Sequence, residues 1–311
     1  MNYILGVDGG GTKTIAQIAD SKGKLTVENE SGSSNYKSVG KENAQTNINN
    51  AVLGAIRNLA VSDKVIFKSA CFGLSGNDCN EDTSIYRNII FNDKLKGYLN
   101  PISTIICNDT KIGLAAGTDS KNGIIIICGT GSNCYGTNEA GQEAKANGWD
   151  YVLGDEGSGY EIGIKALKAF MRDYDGRGDS TYLSKTILED LKLNSVQELI
   201  KWAYNSPFSK EKVSALAETV CRTAQMGDKV SIRILEEEAN EAFISVKAVV
   251  DKLGLENKEF DLVFVGSVFK CEKYFKNPLE RKLKEKFPMI NFVPLTKKPV
   301  EGAIKLALRN L

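Results

Sequence analysis

The chain has 311 residues, 40 Lys and Arg against 39 Asp and Glu, and no histidine. That length accommodates two domains, each large enough to bury its own core. A net charge of +1 gives no footprint for a nucleic-acid backbone or an anionic membrane, so the expected partners are small molecules, with neither nucleic acid nor membrane among them. Without imidazole there is no Ser-His-Asp or Cys-His nucleophile and no zinc site built on His, and a proton that must move falls to Asp or Glu. The opening apolar run is too short for a signal peptide, and no later run approaches the ~20 residues that span a bilayer, so a cytoplasmic protein is expected. The seven cysteines form no Cys-x-x-Cys pair and sit mostly in or beside apolar runs, which reads as buried reduced thiols.

Three short β-runs open the chain, over residues 2–7, 14–19 and 24–30, punctuated by Gly9-Gly10-Gly11 and Ser21-Lys22-Gly23 as an antiparallel meander. Helix is predicted over 41–59, strand over 66–73, helix over about 82–95, strand over 103–107 and helix from Thr110. Three strands followed by alternating helix and strand make a mixed sheet flanked by helices. A continuous apolar strand at 123–128, the turn Gly129-Thr130-Gly131 and a return strand at 133–137 then repeat the opening hairpin. Residues 160–253 read as an inserted set of amphipathic helices. Strand at 261–265, the turn Gly266-Ser267, a basic amphipathic helix over 270–286, strand at 290–293 and a last helix over 300–311 complete the chain. The expected division is 1–116 with the last helix, 299–311, and 117–298 with its helical insertion.

The loop Asp8-Gly9-Gly10-Gly11-Thr12-Lys13-Thr14 sits at a predicted hairpin tip, where glycines let backbone N–H groups approach an anion. It is neither a Walker A loop nor a Rossmann fingerprint, because it leads into a strand where both of those lead into a helix. The second hairpin, Cys128-Gly129-Thr130-Gly131-Ser132-Asn133, recurs in the equivalent place half a chain later, and two such turns can hold phosphates from both sides. Gly266-Ser267 follows an apolar strand, a place where backbone lies against an adenine or ribose.

The ordered set Asp8–Thr14, Gly73-Leu74-Ser75-Gly76, Asn108-Asp109-Thr110, Gly129-Thr130-Gly131-Ser132-Asn133-Cys134, Gly154-Asp155-Glu156-Gly157-Ser158 and Val265-Gly266-Ser267-Val268 resembles the N-acetylglucosamine kinases over nearly the whole chain. These belong to a wider group that holds the ATPases activating benzoyl-CoA reductases and 2-hydroxyacyl-CoA dehydratases. The resemblance implies two actin/hexokinase-like, RNase H-like α/β domains, ATP and magnesium as cofactors, and transfer to the 6-hydroxyl of an N-acetylated amino sugar. It also implies roles. Asp109 matches the catalytic base and also contacts the sugar; its spacing alone equally fits a helix N-cap. Asp8 matches the residue that orients magnesium through water, and Gly10, Gly11, Thr12, Lys13, Thr130, Gly131, Ala224, Gly266 and Ser267 match positions on the nucleotide side. Asn35, Ser75, Ser132, Asn133, Gly148, Trp149, Asp150 and Asp155 correspond to sugar-contacting segments, although Asn35 read singly is a turn residue and Trp149 a core residue.

The family pattern around Trp149 is Gly-Gly-Trp-Gly, and this chain has Asn147-Gly148-Trp149-Asp150. A side chain in place of the second glycine bears on which sugar fits: N-acetylglucosamine, N-acetylmuramic acid with its lactyl group, or glucosamine. The reductase-activating ATPases stand as another reading, with Cys128 and Cys134 as the close pair a cluster would need, and a non-catalytic sugar sensor as a third. The assembly expected is a homodimer.

Overall fold

The computed structural model describes residues 3–61, 65–204 and 209–311, so Asn2 of the first predicted strand and residues 205–208 of the predicted helical insertion lie outside it. The chain forms two compact units, residues 1–119 with 295–311 and residues 120–294.

In the first unit, β1 (Tyr3–Gly9), β2 (Lys13–Asp20) and β3 (Leu25–Gly32) make the antiparallel meander. The chain continues through a short α1 (Tyr36–Val39), α2 (Lys41–Asn58), β4 (Phe67–Leu74), α3 (Asn80–Ile90), β5 (Thr104–Asn108) and α4 (Asp109–Gly117). The sheet order is β3-β2-β1-β4-β5, with β1, β4 and β5 parallel. As the central strand, β1 is buried on both faces, which is why it reads as one apolar run rather than an alternation. Its Leu5 and Val7 pack with Ile48 and Val52 of α2 and with Phe72, while Ile4 packs on the other face with Ile112. The predicted helix over 82–95 ends at Ile90, because Asn92 takes the Ile89 carbonyl with its amide and accepts from Lys94 N at 2.8 Å, forming a turn.

The second unit comprises β6 (Gly123–Cys128), β7 (Ser132–Thr137), β8 (Glu143–Ala146), α5 (Gly159–Tyr174), α6 (Leu183–Leu191), α7 (Val196–Tyr204), α8 (Lys210–Gln225), α9 (Lys229–Leu253), β9 (Phe260–Val265), α10 (Asn277–Lys286) and β10 (Ile290–Pro294). Its sheet order, β10-β9-β6-β7-β8, is that of the first unit in the same chain sense, antiparallel for its first three strands and parallel for β6, β9 and β10. The fold is therefore a duplicated mixed sheet, with five helices inserted in the second copy. The predicted basic helix over 270–286 is broken into a 3₁₀ turn (Ser267–Lys270), a π turn (Glu272–Lys276) and α10, because Cys271 takes ψ 68° and cannot continue a helix.

The last helix, α11 (Pro299–Arg309), belongs to the first unit. It buries Val300, Ala303, Ile304 and Ala307, spaced three and four apart, against β1 and α4. A Cβ on Gly302 would lie 1.9 Å from the Ile112 carbonyl oxygen, so the backbones of α11 and α4 touch there, and only glycine permits it.

Candidate active site

In the first unit the site residues gather at the carboxyl ends of the parallel strands, where open α/β sheets place ligands. Register sets Asp8 of β1 beside Gly73 of β4, which is beside Cys107 of β5, and α4 begins two residues further on. Asp8 is half-buried. Burial, and then the negative charge of Asp109, push its carboxyl from the usual 3.8 up to about 6, while Lys13 opposes the shift. The N-cap of α4 is Asn108, whose side chain accepts from Thr110 N, so the capping role that spacing allowed for Asp109 is not its own; Asp109 is the first helical residue. Gly11 and Thr12 are exposed at the hairpin tip, with open space at the Gly11 Cβ position. Lys13 pairs with Glu30 at 2.9 Å on the outer surface.

Hydrogen bonds draw the segments of this unit predicted for the sugar side onto that hairpin. Ser75 N donates to the Gly9 carbonyl at 2.8 Å and Ser34 N to the Gly10 carbonyl at 3.3 Å. The Tyr86 hydroxyl, a residue the sequence did not single out, donates to the carbonyls of Ser75 at 2.7 Å and Ser34 at 3.1 Å, clamping both segments. Asn35 caps α1 by accepting from Lys37 N at 3.1 Å. Ser34 Oγ is buried and makes no hydrogen bond within the protein.

The linkage of Asp8 fixes a pH dependence. Its folded-state pKa is raised, so the native state holds the proton more tightly than the unfolded chain and stability falls as pH climbs from about 4 to about 6. At about 1.4 kcal/mol per unit, the whole effect amounts to at most about 3 kcal/mol. Asp8→Asn should remove this component: subtracting its urea-unfolding stabilities from those of wild type across pH 4–7 should leave a declining curve. A flat difference would show that Asp8 carries no such shift.

In the second unit β6 ends at Cys128, and Gly129 N donates to the Gly131 carbonyl at 2.9 Å to close the hairpin turn. Gly159 N holds the Gly129 carbonyl at 2.8 Å, and Ser214 of α8 reaches Thr130 Oγ1 at 3.5 Å. Gly266 has φ 118°, and a Cβ on it would lie 2.1 Å from the Cys128 carbonyl oxygen. The turn after β9 is thereby laid directly on the hairpin. A groove of about 420 Å³ runs from Ser214 along α8 past Glu218 and Gln225, with Ser267 and Cys271 on its other wall. Ala224 is fully buried in the core beneath this groove, so its side chain faces packing rather than ligand. Cys221 and Cys271, both lining the groove, are joined by a disulfide. This corrects the reading of all the cysteines as reduced thiols: the two lie 50 residues apart in sequence, and only the packing of α8 against the segment after β9 brings them together. Cys79 is exposed, a second departure from that reading. Cys128 and Cys134 are buried, and burial pushes both thiols well up, which suits packing and not the thiolates a cluster requires.

The residues of this unit predicted for the sugar side form one cluster. Ser132 N donates to Asp155 Oδ1 at 3.0 Å, Ser132 Oγ to the Glu156 carbonyl at 2.7 Å, and Asn147 Nδ2 to Ser132 Oγ at 2.8 Å. Asp155 is 4% exposed. Gly148 packs on the Asn133 side chain, whose Oδ1 is buried and makes no hydrogen bond within the protein. Trp149 is 53% exposed, not core, and the Lys145 ammonium sits 4.4 Å from its ring centroid. Asp150 adopts φ 68°, a left-handed backbone that explains why glycine suits this position. Two residues here were not legible in the sequence. Buried Glu238 accepts from Gly157 N at 2.6 Å, and Lys210 binds both Asp150, at 2.5 Å, and Asp155. A larger hollow of about 910 Å³ against α5 and α7 is apolar and carries none of the residues predicted for the site.

A duplicated hairpin-and-parallel-strand sheet with glycine turns at the strand ends, and carboxylates beside them, is the actin/hexokinase-like architecture of phosphotransferases. The N-acetylglucosamine kinase assignee from Chromobacterium violaceum has this fold, with a TM-score of 0.78 at 21% identity over 99% of each chain. The chain belongs to the BadF/BadG/BcrA/BcrD ATPase family, whose model matches residues 5–307. It is 38% identical over 307 residues, 99% of this chain and 98% of the relative, to an N-acetylmuramic acid/N-acetylglucosamine kinase of Clostridium acetobutylicum. It is 35% identical over 315 aligned positions, 98% of each, to an N-acetyl-D-glucosamine kinase of Dictyostelium discoideum.

The residues present fit MgATP. Nothing stands within 4 Å of the Cβ positions of Gly11 and Gly129, so both hairpin tips leave room for an anion, and Ser267 lines the α8 groove. Asp8 and Asp109 repel one another, which a divalent cation relieves, and magnesium takes one or two carboxylates together with phosphate oxygens and water.

Proposed function

We propose that this protein transfers phosphate from ATP to the 6-hydroxyl of an N-acetylated amino sugar, N-acetylglucosamine and N-acetylmuramic acid being its acceptors. The observation that carries the sugar side is two buried polar atoms that make no hydrogen bond within the protein, Ser34 Oγ and Asn133 Oδ1. Each lies in a segment that matches the sugar contacts of the kinases, and a buried polar atom without a partner costs about 1–3 kcal/mol that a sugar hydroxyl or amide restores. Both relatives named above, similar over their full length, are described as amino-sugar kinases.

When bound, MgATP supplies the phosphoryl group and neutralises charge on its oxygens. The protein's own part is positioning and one proton transfer. Asp109 accepts the proton of the sugar 6-hydroxyl as the bond to phosphorus forms. Asp8 would hold magnesium through water. The hairpins at Gly10-Gly11-Thr12 and Thr130-Gly131 aim N–H groups at phosphate, and Ser267 lines the adenosine end. Asn35, Ser75, Ser132, Asn133 and Asp155 orient ring hydroxyls, and the Gly148-Trp149 turn takes the acetamido side.

A coupled ADP-release assay over an amino-sugar panel tests the assignment. N-acetylglucosamine and N-acetylmuramic acid should stimulate ADP release well above glucose. If neither these nor glucosamine exceeds glucose, the acceptor class is wrong; if glucosamine alone does, the acetamido reading is.

A further inference from the structure

Lys210 opens α8 and touches the candidate sugar side, yet nothing in the reaction as described uses it. Its ammonium donates to Asp150 Oδ1 at 2.5 Å and to Asp155 Oδ2, and lies 5.8 Å from the Tyr151 ring centroid. The first turn of a helix carries a positive partial charge, so a lysine there is opposed by its own helix and must be held by something else. Burial alone would lower its pKa, but the bonds to the two aspartates outweigh burial and hold it above the ordinary lysine value.

The two carboxylates are not equivalent. Asp155 is almost wholly buried and fixed by Ser132 N, so it requires a countercharge, and Lys210 provides one. Asp150 is surplus to that pair. Its side chain is 67% exposed, and its backbone takes φ 68°, a left-handed conformation that favours glycine. Asp150 Oδ1 also accepts from Tyr151 N at 2.9 Å, a local bond. A solvent-facing carboxylate resting on a partly buried ammonium, between half-exposed Trp149 and Tyr151, marks a position that a carboxylate from outside can occupy.

We propose that Lys210 recognises a carboxylate substituent on the amino-sugar substrate, and that Asp150 holds that position when the substrate lacks one. This rests on the kinase reading above. A lysine that binds only the buried Asp155 would have no need of the strained Asp150, and a cation serving only the phosphates would treat all acceptors alike.

The test is the ratio of kcat/KM for N-acetylmuramic acid, which carries a lactyl carboxylate, to that for N-acetylglucosamine, which does not. Lys210→Gln should lower the ratio about tenfold to a hundredfold, the range of a charge-assisted bond, and Lys210→Arg should keep most of it. Asp150→Gly should raise the ratio severalfold by removing the internal competitor while leaving the Lys210–Asp155 pair in place. This second variant decides the matter if Lys210→Gln does not fold. The proposal is overturned by a ratio that stays within about twofold in the soluble variants, by wild-type protein that accepts N-acetylglucosamine but not N-acetylmuramic acid, or by Lys210→Gln lowering both sugars in parallel while raising KM for ATP. The last result would assign Lys210 to the phosphates. Wild-type turnover of N-acetylglucosamine separates these failures from failure of the kinase reading, since it survives them all.

Discussion

Asp109→Asn should keep its fold and its affinity for sugar and lose about 10²–10⁴ in turnover, the range for removal of a positioned general base. The structure sharpens this expectation. The cap of α4 is supplied by Asn108, so the substitution does not uncap the helix. The substitution also removes one acidic charge from the first turn, worth about 0.3–1 kcal/mol against the helix dipole. Asp109 is also the second cause of the raised Asp8 pKa, so the variant should carry a lower Asp8 pKa than the wild-type value of about 6, and a weaker dependence of stability on pH between about 4 and 6. Turnover, thermal midpoint and sugar affinity measured on the same preparation decide it. More than about a third of wild-type turnover, or a loss of turnover matched by a loss of folded protein, removes the support for a base at this position.

Gly266→Ala should be the most damaging small substitution in the second unit. At φ 118° an L-residue is strained by about 1–3 kcal/mol. The added Cβ would also stand 2.1 Å from the Cys128 carbonyl oxygen and 2.4 Å from its carbon, backbone atoms at the end of the central strand that cannot swing aside as a side-chain tip can. The hairpin at Gly129 must then move off the turn at Ser267, and nucleotide affinity should fall at least tenfold along with a thermal midpoint lower by about 5–10 °C. Gly227→Ala is the control: its φ of 89° carries similar backbone strain, but nothing lies within 4 Å of the added atom. Equal effects in the two variants would mean that close approach to Cys128 is not what fixes the turn.

The fold class was legible because its signals are local. A continuous apolar strand such as β6, glycine at each hairpin tip and the three-and-four spacing along α8 and α9 each announce themselves within a window of a dozen residues. The broken helix at Cys271 was not legible, since the basic amphipathic pattern over 270–286 continues through a residue whose backbone is set by a partner 50 positions away. Short β8 has only four residues, and its pairing with β7 gives it an identity that its composition, Glu-Ala-Lys-Ala, does not. The candidate site divides the same way. Residues carried by compact motifs, such as Asp8, Thr130 and Asp155, stand out in the sequence. Lys210, Tyr86 and Glu238 sit in ordinary helical patterns, and only tertiary packing turns them toward Asp155, Ser75 and Gly157.

The return of α11 to the first unit has a consequence for how the protein is made. Synthesis proceeds at about 5–20 residues per second, and domains tend to fold as they emerge. Residues 120–294 are contiguous and have all their strands and helices to hand once translated. Residues 1–119 do not, because the face of β1 and α4 carrying Ile4 and Ile112 is closed by Ala303, Ile304 and Ala307, which emerge after residues 120–294. A segment that leaves the ribosome before residues 120–294 is thus finished after them, and until then it presents an open apolar face. The backbone contact at Gly302 makes that docking close-fitting, so vectorial synthesis leaves the first unit dependent on residues that follow the whole of the second.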